Sequence, residues 1–299
     1  MSSVKLFWQK YVPAFIQNTI RVYTDSKINK GRRKQILQQF DRRELRNQPV
    51  EIQHAIKFLK TNRFTSFPYS WSLKYDNYFP EIFFDSEVSF HYMILEGKRL
   101  YFPKKYNRNQ VVWTMRGIFK EQDKNSAHLY LTENFQVENN SILIDGGVAE
   151  GSFSLSVIEK VKKLYLIECQ LDWIEALQLT FAPWKDKVVI IGKYLSDSVT
   201  DNTISIDSIV EVKQTEKYFI KLDIEGYELR ALDGMSSFFS KANYLKMCIC
   251  TYHNLTDADE INKYLNKKEL KCEFSNSYLI FVDNNEIPSF RKALIRAEK

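Results

Sequence analysis

From Ser141 onward, short apolar runs alternate with stretches whose apolar residues recur every three or four positions. The first pattern predicts strands and the second amphipathic helices. Strands are expected at 141–144, 164–167, 188–191, 218–222 and 245–250. Helices are expected at 152–162, 172–181, 228–239 and 257–265. A closing pair of runs, 271–274 and 278–282, is joined only by Ser275-Asn276-Ser277 and predicts an antiparallel hairpin at one edge. Strand–helix alternation of this kind predicts an α/β fold with a doubly wound, mostly parallel sheet.

The chain before Ser141 has a different texture. Residues 1–65 read as helices: Phe7, Trp8, Tyr11, Val12, Phe15, Ile16 and Ile20 form one stripe. After a break at Asn47-Gln48-Pro49, Val50, Ile52, Ala55, Ile56 and Leu59 form another. Aromatic residues then crowd between 64 and 103, among them Trp71, Tyr75 and Tyr78. Runs at 88–95 and 99–102 flank Glu96-Gly97-Lys98, a hairpin-like turn. The expected organisation is a basic helical arm (1–65), a small aromatic-rich α+β substrate or cap subdomain (66–137) and a sheet domain (138–299).

Composition narrows the class. With 44% hydrophobic and 14% aromatic residues, the chain can bury a core, which excludes general disorder. No apolar run approaches the roughly 18 residues of a membrane span, and polar residues interrupt residues 1–20 where a secretory signal needs an unbroken apolar core. Four scattered cysteines form no disulfide framework, so a reduced, cytoplasmic protein is expected. Residues 1–60 hold 13 basic against 4 acidic side chains, a net of +9, and the remaining residues are net −3. The arm either seats peripherally on an anionic membrane surface or packs on its own body.

Three of the nine glycines fall in Asp145-Gly146-Gly147-Val148-Ala149-Glu150-Gly151, a turn that leaves an apolar strand and opens a helix. Glycine allows the tight backbone and close ligand approach of a nucleotide-type cofactor site, although a plain strand–helix turn also uses it. Acids end the neighbouring strands: Asp145, Glu150, Glu168, Asp223 and Glu225. In a parallel sheet these converge on the C-terminal rim, where they repel a pyrophosphate and suit a cation. S-adenosylmethionine carries a sulfonium and an ammonium and no phosphate. Glu168 follows Asp145 by 23 residues, the spacing of an acid that accepts hydrogen bonds from ribose hydroxyls.

Along Lys221-Leu222-Asp223-Ile224-Glu225, alternation puts Lys221, Asp223 and Glu225 on one side if the strand continues. Acids in an apolar strand mark a site, or else Lys221 and Asp223 form a structural salt bridge. A metal on Asp223 and Glu225 lacks further ligands at motif spacing, so none is expected. Cys248 and Cys250 read as small core hydrophobes. Of four histidines, only His253 ends a strand on this rim, one strand from Asp223. Glu121, Gln122, Ser126, His128 and Tyr130 form a polar knot before the first strand, either a capped turn or a cover over the cofactor.

These motifs together resemble the FkbM-type family of S-adenosylmethionine-dependent methyltransferases. The carrying segments are Leu143 to Gly151, Tyr165-Leu166-Ile167-Glu168, Ser205-Ile206-Asp207, Ile220 to Glu228 and Tyr252-His253, in matching order over about residues 120–299. The resemblance implies a Rossmann-like, seven-stranded class I methyltransferase sheet. It implies S-adenosylmethionine as cofactor and O-methylation of a sugar, glycan or secondary metabolite. Carried over, Asp145, Gly146, Gly147, Ala149, Glu150 and Gly151 look like the methionine-end loop, Glu168 the ribose acid and Ser196-Asp197 an adenine-side edge. Asp223, Glu225 and His253 look like rim residues near the acceptor, with His253 the first candidate base and Asp223 the second. Two other readings stand beside this one. An RNA or DNA methyltransferase would use the basic arm, but the net acidic body disfavours a phosphate track, and no nucleic acid is expected. A catalytically inactive binding protein would keep the fold without chemistry.

Overall fold

The computed structural model describes residues 27–40, 42–282 and 287–299, so the apolar stripe at 7–20 lies outside the described residues. The chain divides into two compact units, Met1–Ser70 with Ile280–Phe290, and Trp71–Leu279 with Arg291–Lys299.

In the larger unit seven strands make one sheet: β1 (Ser141–Gly146), β2 (Val161–Ile167), β3 (Val188–Ile191), β4 (Lys217–Leu222), β5 (Tyr244–Cys250), β6 (Lys271–Phe274) and β7 (Leu294–Glu298). Their order is β6-β7-β5-β4-β1-β2-β3. The five strands from β3 to β5 are parallel, and β7 runs antiparallel to both β5 and β6. Strand order reverses between β1 and β4, and there the C-terminal ends open a crevice. The strands are apolar without alternation because both faces are covered. Ile144, Ile220, Leu222, Met247 and Ile249 are fully buried in one cluster. This is the doubly wound, Rossmann-like α/β sheet with an antiparallel edge that the pattern predicts.

The partner at that edge differs from the predicted hairpin. β6 pairs with β7, from Lys271 opposite Glu298 to Phe274 opposite Ile295. The run at 278–282 instead forms Leu279–Val282, which pairs with Pro288–Arg291 in a separate two-stranded sheet. The interior place between β5 and β6 needs a strand buried on both faces, and Leu294, Ile295 and Ala297 supply it. Arg296 interrupts that run in the sequence and hides it. In the fold it is buried and donates from Nε to the Tyr130 carbonyl at 3.1 Å.

Two helices also differ from their predicted lengths. The one after β1 is Ser152–Val157, cut short because β2 begins at Val161. The one after β4 is broken into Glu228–Asp233 and Ser236–Lys241. At the break, a Cβ on Gly234 would lie 2.4 Å from the Ser196 carbonyl oxygen. Upstream, Phe83–Asp85, Phe90–Leu95 and Lys98–Tyr101 form a three-stranded antiparallel sheet. Helix Arg108–Glu121, started by a capping box between Asn107 and Gln110, ends at the rim of the large sheet.

The smaller unit holds helices at 27–38, Arg42–Arg46 and Val50–Thr61. Ile36, Leu59 and Ile280 are fully buried together. The Ile280 amide donates to the Ser66 carbonyl and Gln39 Nε2 to the Pro288 carbonyl, both at 2.8 Å. Among the described residues, no helix is long and apolar enough to cross a membrane.

Candidate active site

β1 ends on Asp145, whose carboxylate is buried. Its Oδ2 accepts the Ser154 hydroxyl at 2.6 Å, and its Oδ1 lies 3.1 Å from Lys221 Nζ. The ion pair of Lys221 is therefore with Asp145, across the parallel ladder, where alternation along one strand pointed to Asp223. Burial works against the Lys221 charge, but Asp145 and Asp223 outweigh it and hold its pKa above the ordinary lysine value.

The turn after β1 depends on glycine at Gly147. Its φ is +72°, and a Cβ there would lie 1.8 Å from the Asp223 carbonyl oxygen. Gly147 N–H donates to the Ile167 carbonyl at 3.0 Å. Ala149, with φ +47°, donates its N–H to Glu168 Oε2 at 3.0 Å, and Glu168 Oε1 accepts from Gln170 N–H at 2.8 Å. Glu168 thus ties the end of β2 to the glycine turn. Half-buried Glu150 accepts the Ser152 hydroxyl at 2.6 Å, and burial pushes its pKa up. Gly151, with φ +80°, sits before the next helix, and a Cβ on it would crowd Leu177 at 2.7 Å.

β4 ends at Leu222, so Asp223 to Glu225 turn away, with Glu225 at φ +56°, where the sequence allowed the strand to continue. Asp223 is a hub. Its Oδ2 accepts the Tyr130 hydroxyl at 2.9 Å and its Oδ1 the Tyr252 hydroxyl at 3.2 Å. His128 Nε2 is 3.6 Å from Oδ2, and His253 Nε2 is 3.5 Å from Oδ1. Burial alone would push the Asp223 pKa up, but Lys221, the two imidazoles and the Tyr130 hydrogen bond outweigh it and bring it to about 2.

His253 Nδ1 lies 3.1 Å from Glu228 Oε1, while its Nε2 lies 3.7 Å from Glu225 Oε2. Burial lowers the imidazole pKa, but Glu228, Asp223 and Glu225 outweigh it and raise it above 6.5. Glu228 is buried and also accepts the Ile224 N–H at 2.9 Å. His128 takes the opposite course: burial brings it down to about 4.

A cavity of about 340 Å³ opens on this rim, lined by Gly147, Ala149, Glu168, Asp223 and Glu225, with Glu121 facing them. Tyr194, Leu195 and Tyr227 also line it. Asp145, Gly146, Glu150 and Gly151 build the turn from behind, and His253 stands behind Asp223, outside the lining. Ser196 also lies outside it. Its hydroxyl donates to Asp197 at 3.0 Å, and the two preceding residues line the cavity instead.

Glu121 and Tyr130, singled out as a polar knot, do reach the site, whereas Tyr252 was visible only as the neighbour of His253. Burial and the nearby Asp223 and Glu150 charges raise the Glu121 pKa to about 8. Among the described residues, two groups, Asp223 with Glu228 and His253, and Asp223 with His128 and Cys250, each bring donor atoms within 4.8 Å. Both share Asp223, which already accepts two tyrosine hydroxyls.

The doubly wound, Rossmann-like sheet thus carries a glycine turn at its switch point and acids closing β1, β2 and β4. Residues 176–275, which contain β4, Asp223 and His253, match the family described as methyltransferase FkbM domain. The matched span is about one third of the chain and includes the segments Ile220 to Glu228 and Tyr252-His253. The chain is 33% identical over 79 residues to hexuronic acid methyltransferase AglP of Haloferax volcanii, covering 26% of this chain. The match spans 32% of that relative's length. A solved FkbM methyltransferase from Methylobacillus flagellatus aligns with TM-score 0.46 and 17% identity, over 63% of this chain and 54% of that one. An rRNA methylase from Streptococcus thermophilus aligns with TM-score 0.36 and 13% identity, over 55% of this chain and 89% of that one.

Proposed function

We propose that the protein is an S-adenosylmethionine-dependent methyltransferase that methylates a hydroxyl of a sugar, glycan or secondary metabolite. The observation that carries this reading is the cavity wall, where Glu168, Asp223 and Glu225 face a space of about 340 Å³ beside the glycine turn. The donor set fits the cofactor. Glu168, at the end of β2, suits a ribose diol, Tyr194 and Leu195 offer an apolar wall to a purine, and ionised Asp223 suits an ammonium. Bound S-adenosylmethionine supplies an electrophilic methyl on its sulfonium. The similarity to the Haloferax hexuronic acid methyltransferase supports a sugar-type acceptor.

The side chains then have to align the acceptor hydroxyl and receive its proton. Asp223, held at about 2, is a weak proton acceptor. His253, 3.5 Å behind it and backed by Glu228, is the stronger base once deprotonated and takes the proton through Asp223, which lines the cavity between them. Its raised pKa places that state on the alkaline side of 6.5. Transfer to a hexuronic acid acceptor is therefore expected to rise with pH from neutral upward. His253→Ala should lower turnover roughly 10²-fold with near-normal cofactor affinity. A weakened cofactor affinity with unchanged turnover would reassign His253 to the pocket.

Thermal unfolding with added ligands tests the reading as a whole. S-adenosylhomocysteine should raise the melting temperature and NAD should not, and the reverse would overturn the assignment. The net +9 of residues 1–60 supports a peripheral seat on anionic lipid. Flotation with phosphatidylserine vesicles at low and high salt checks it, and indifference at both would exclude it.

A further inference from the structure

Lys221 is buried and has no part in the chemistry above. Its Nζ lies 2.6 Å from the Gly147 carbonyl oxygen, 3.3 Å from that of Gly146 and 3.1 Å from Asp145 Oδ1. The three N–H donors of an ammonium thus face three acceptors. The Tyr130 ring centroid is 5.5 Å away, a cation–π distance. Burying such a charge costs several kcal/mol before pairing, and an apolar side chain in β4 would avoid that cost. Its partners show what the charge achieves. Two are consecutive carbonyls of the turn whose Gly147 and Ala149 line the cavity. That turn holds Ala149 at φ +47°, a conformation that costs a non-glycine residue and needs outside support.

We infer that Lys221 is the positioning residue of the cofactor turn, drawing the Gly147 carbonyl toward the sheet so that it does not face the cavity, while the Gly146 carbonyl is held by the Asp223 N–H at 3.1 Å. The same charge supports the Asp223 carboxylate on the cavity wall. The inference rests on the cofactor reading above and adds to it a residue that touches no ligand.

K221M alone would strand the buried Asp145 carboxylate, so the test uses K221M/D145N, which removes both charges together. Affinity for S-adenosylhomocysteine is measured by calorimetry from pH 5 to pH 8, with thermal unfolding alongside. The double variant should melt cooperatively and bind about 10-fold or more weakly at pH 8. Toward pH 5 it should weaken further as Asp223 takes up a proton, a fall the wild type lacks. K221R, which keeps the charge, should restore the wild-type profile in large part. Wild-type affinity with a flat profile in the folded double variant would overturn the inference. So would loss of folding, since a positioning residue must be separable from the fold. Failure of the wild type to bind S-adenosylhomocysteine would sink the methyltransferase reading instead.

Discussion

Glu168 accepts one backbone N–H from the turn after β1 and one from the start of the helix after β2. Removing it loosens both supports and takes away the proposed ribose contact. Glu168→Ala should weaken S-adenosylhomocysteine binding by about 1.5–3 kcal/mol in calorimetry, the scale of charge-assisted hydrogen bonds, without unfolding the sheet. Glu121 gives a different signature. Its folded-state pKa of about 8 stands above the ordinary 4.5, so its stabilising contribution is complete below 4.5 and is lost as pH rises toward 8. His253, also raised, adds a loss in the same direction above 6.5. The melting temperature should therefore fall between pH 5 and pH 9, and Glu121→Gln should flatten the part below pH 8. An equal slope in wild type and variant would show that Glu121 is ionised in the native state. Single acids at strand ends were legible in the sequence because the strands before them are uninterrupted. The partner of Lys221 was not, because a ladder pairing joins residues far apart in the chain.

At the scale of elements, glycines separate into those the backbone requires and those it does not. Gly147 combines φ +72° with a Cβ position 1.8 Å from a backbone oxygen that cannot move without shifting Asp223. Gly147→Ala should cost at least about 3 kcal/mol or displace the turn, read as a lower melting temperature and lost S-adenosylhomocysteine binding. Gly117 lies inside helix Arg108–Glu121 with nothing within 4 Å of its would-be Cβ. Gly117→Ala should stabilise by roughly 0.5–1 kcal/mol with binding unchanged. Gly147 stands out in the sequence by its place in a strand-to-helix turn, but only the position of surrounding atoms shows that it tolerates no side chain and that Gly117 does. The same limit governs helix lengths. Periodicity continues through Gly234 in 228–239, but the helix breaks there, where the Gly234 carbonyl accepts the Asp207 N–H at 2.9 Å instead of continuing the helical ladder. Ser196, the expected adenine-side edge, lies outside the cavity for a related reason: a step of one or two residues in a short strand decides whether Ser196 or Leu195 lines it.

At the scale of the molecule, the N-terminal helices are joined to a late segment of the chain. Ile280 is buried with Ile36 and Leu59, and its amide is bonded to Ser66. Deleting residues 1–65 would expose Ile280 and Phe290 just before β7. The truncated chain should be less soluble and melt lower, as light scattering and calorimetry would show. An unchanged melt would make the arm a dispensable appendage. This tie was invisible in the sequence, where a basic run and an apolar stripe fit a free arm equally well.

β7 lies between β5 and β6 although the chain makes it after both. During synthesis, β5 leaves the ribosome more than 40 residues ahead of the strand that covers its outer edge. For that interval the amides and carbonyls of Tyr244–Cys250 on that side have no ladder partner, and the segment is rich in apolar residues. Nascent chains of this protein should thus pass through a stage prone to edge-to-edge association, and binding by a chaperone that shields exposed strands would matter more to its yield than its final stability.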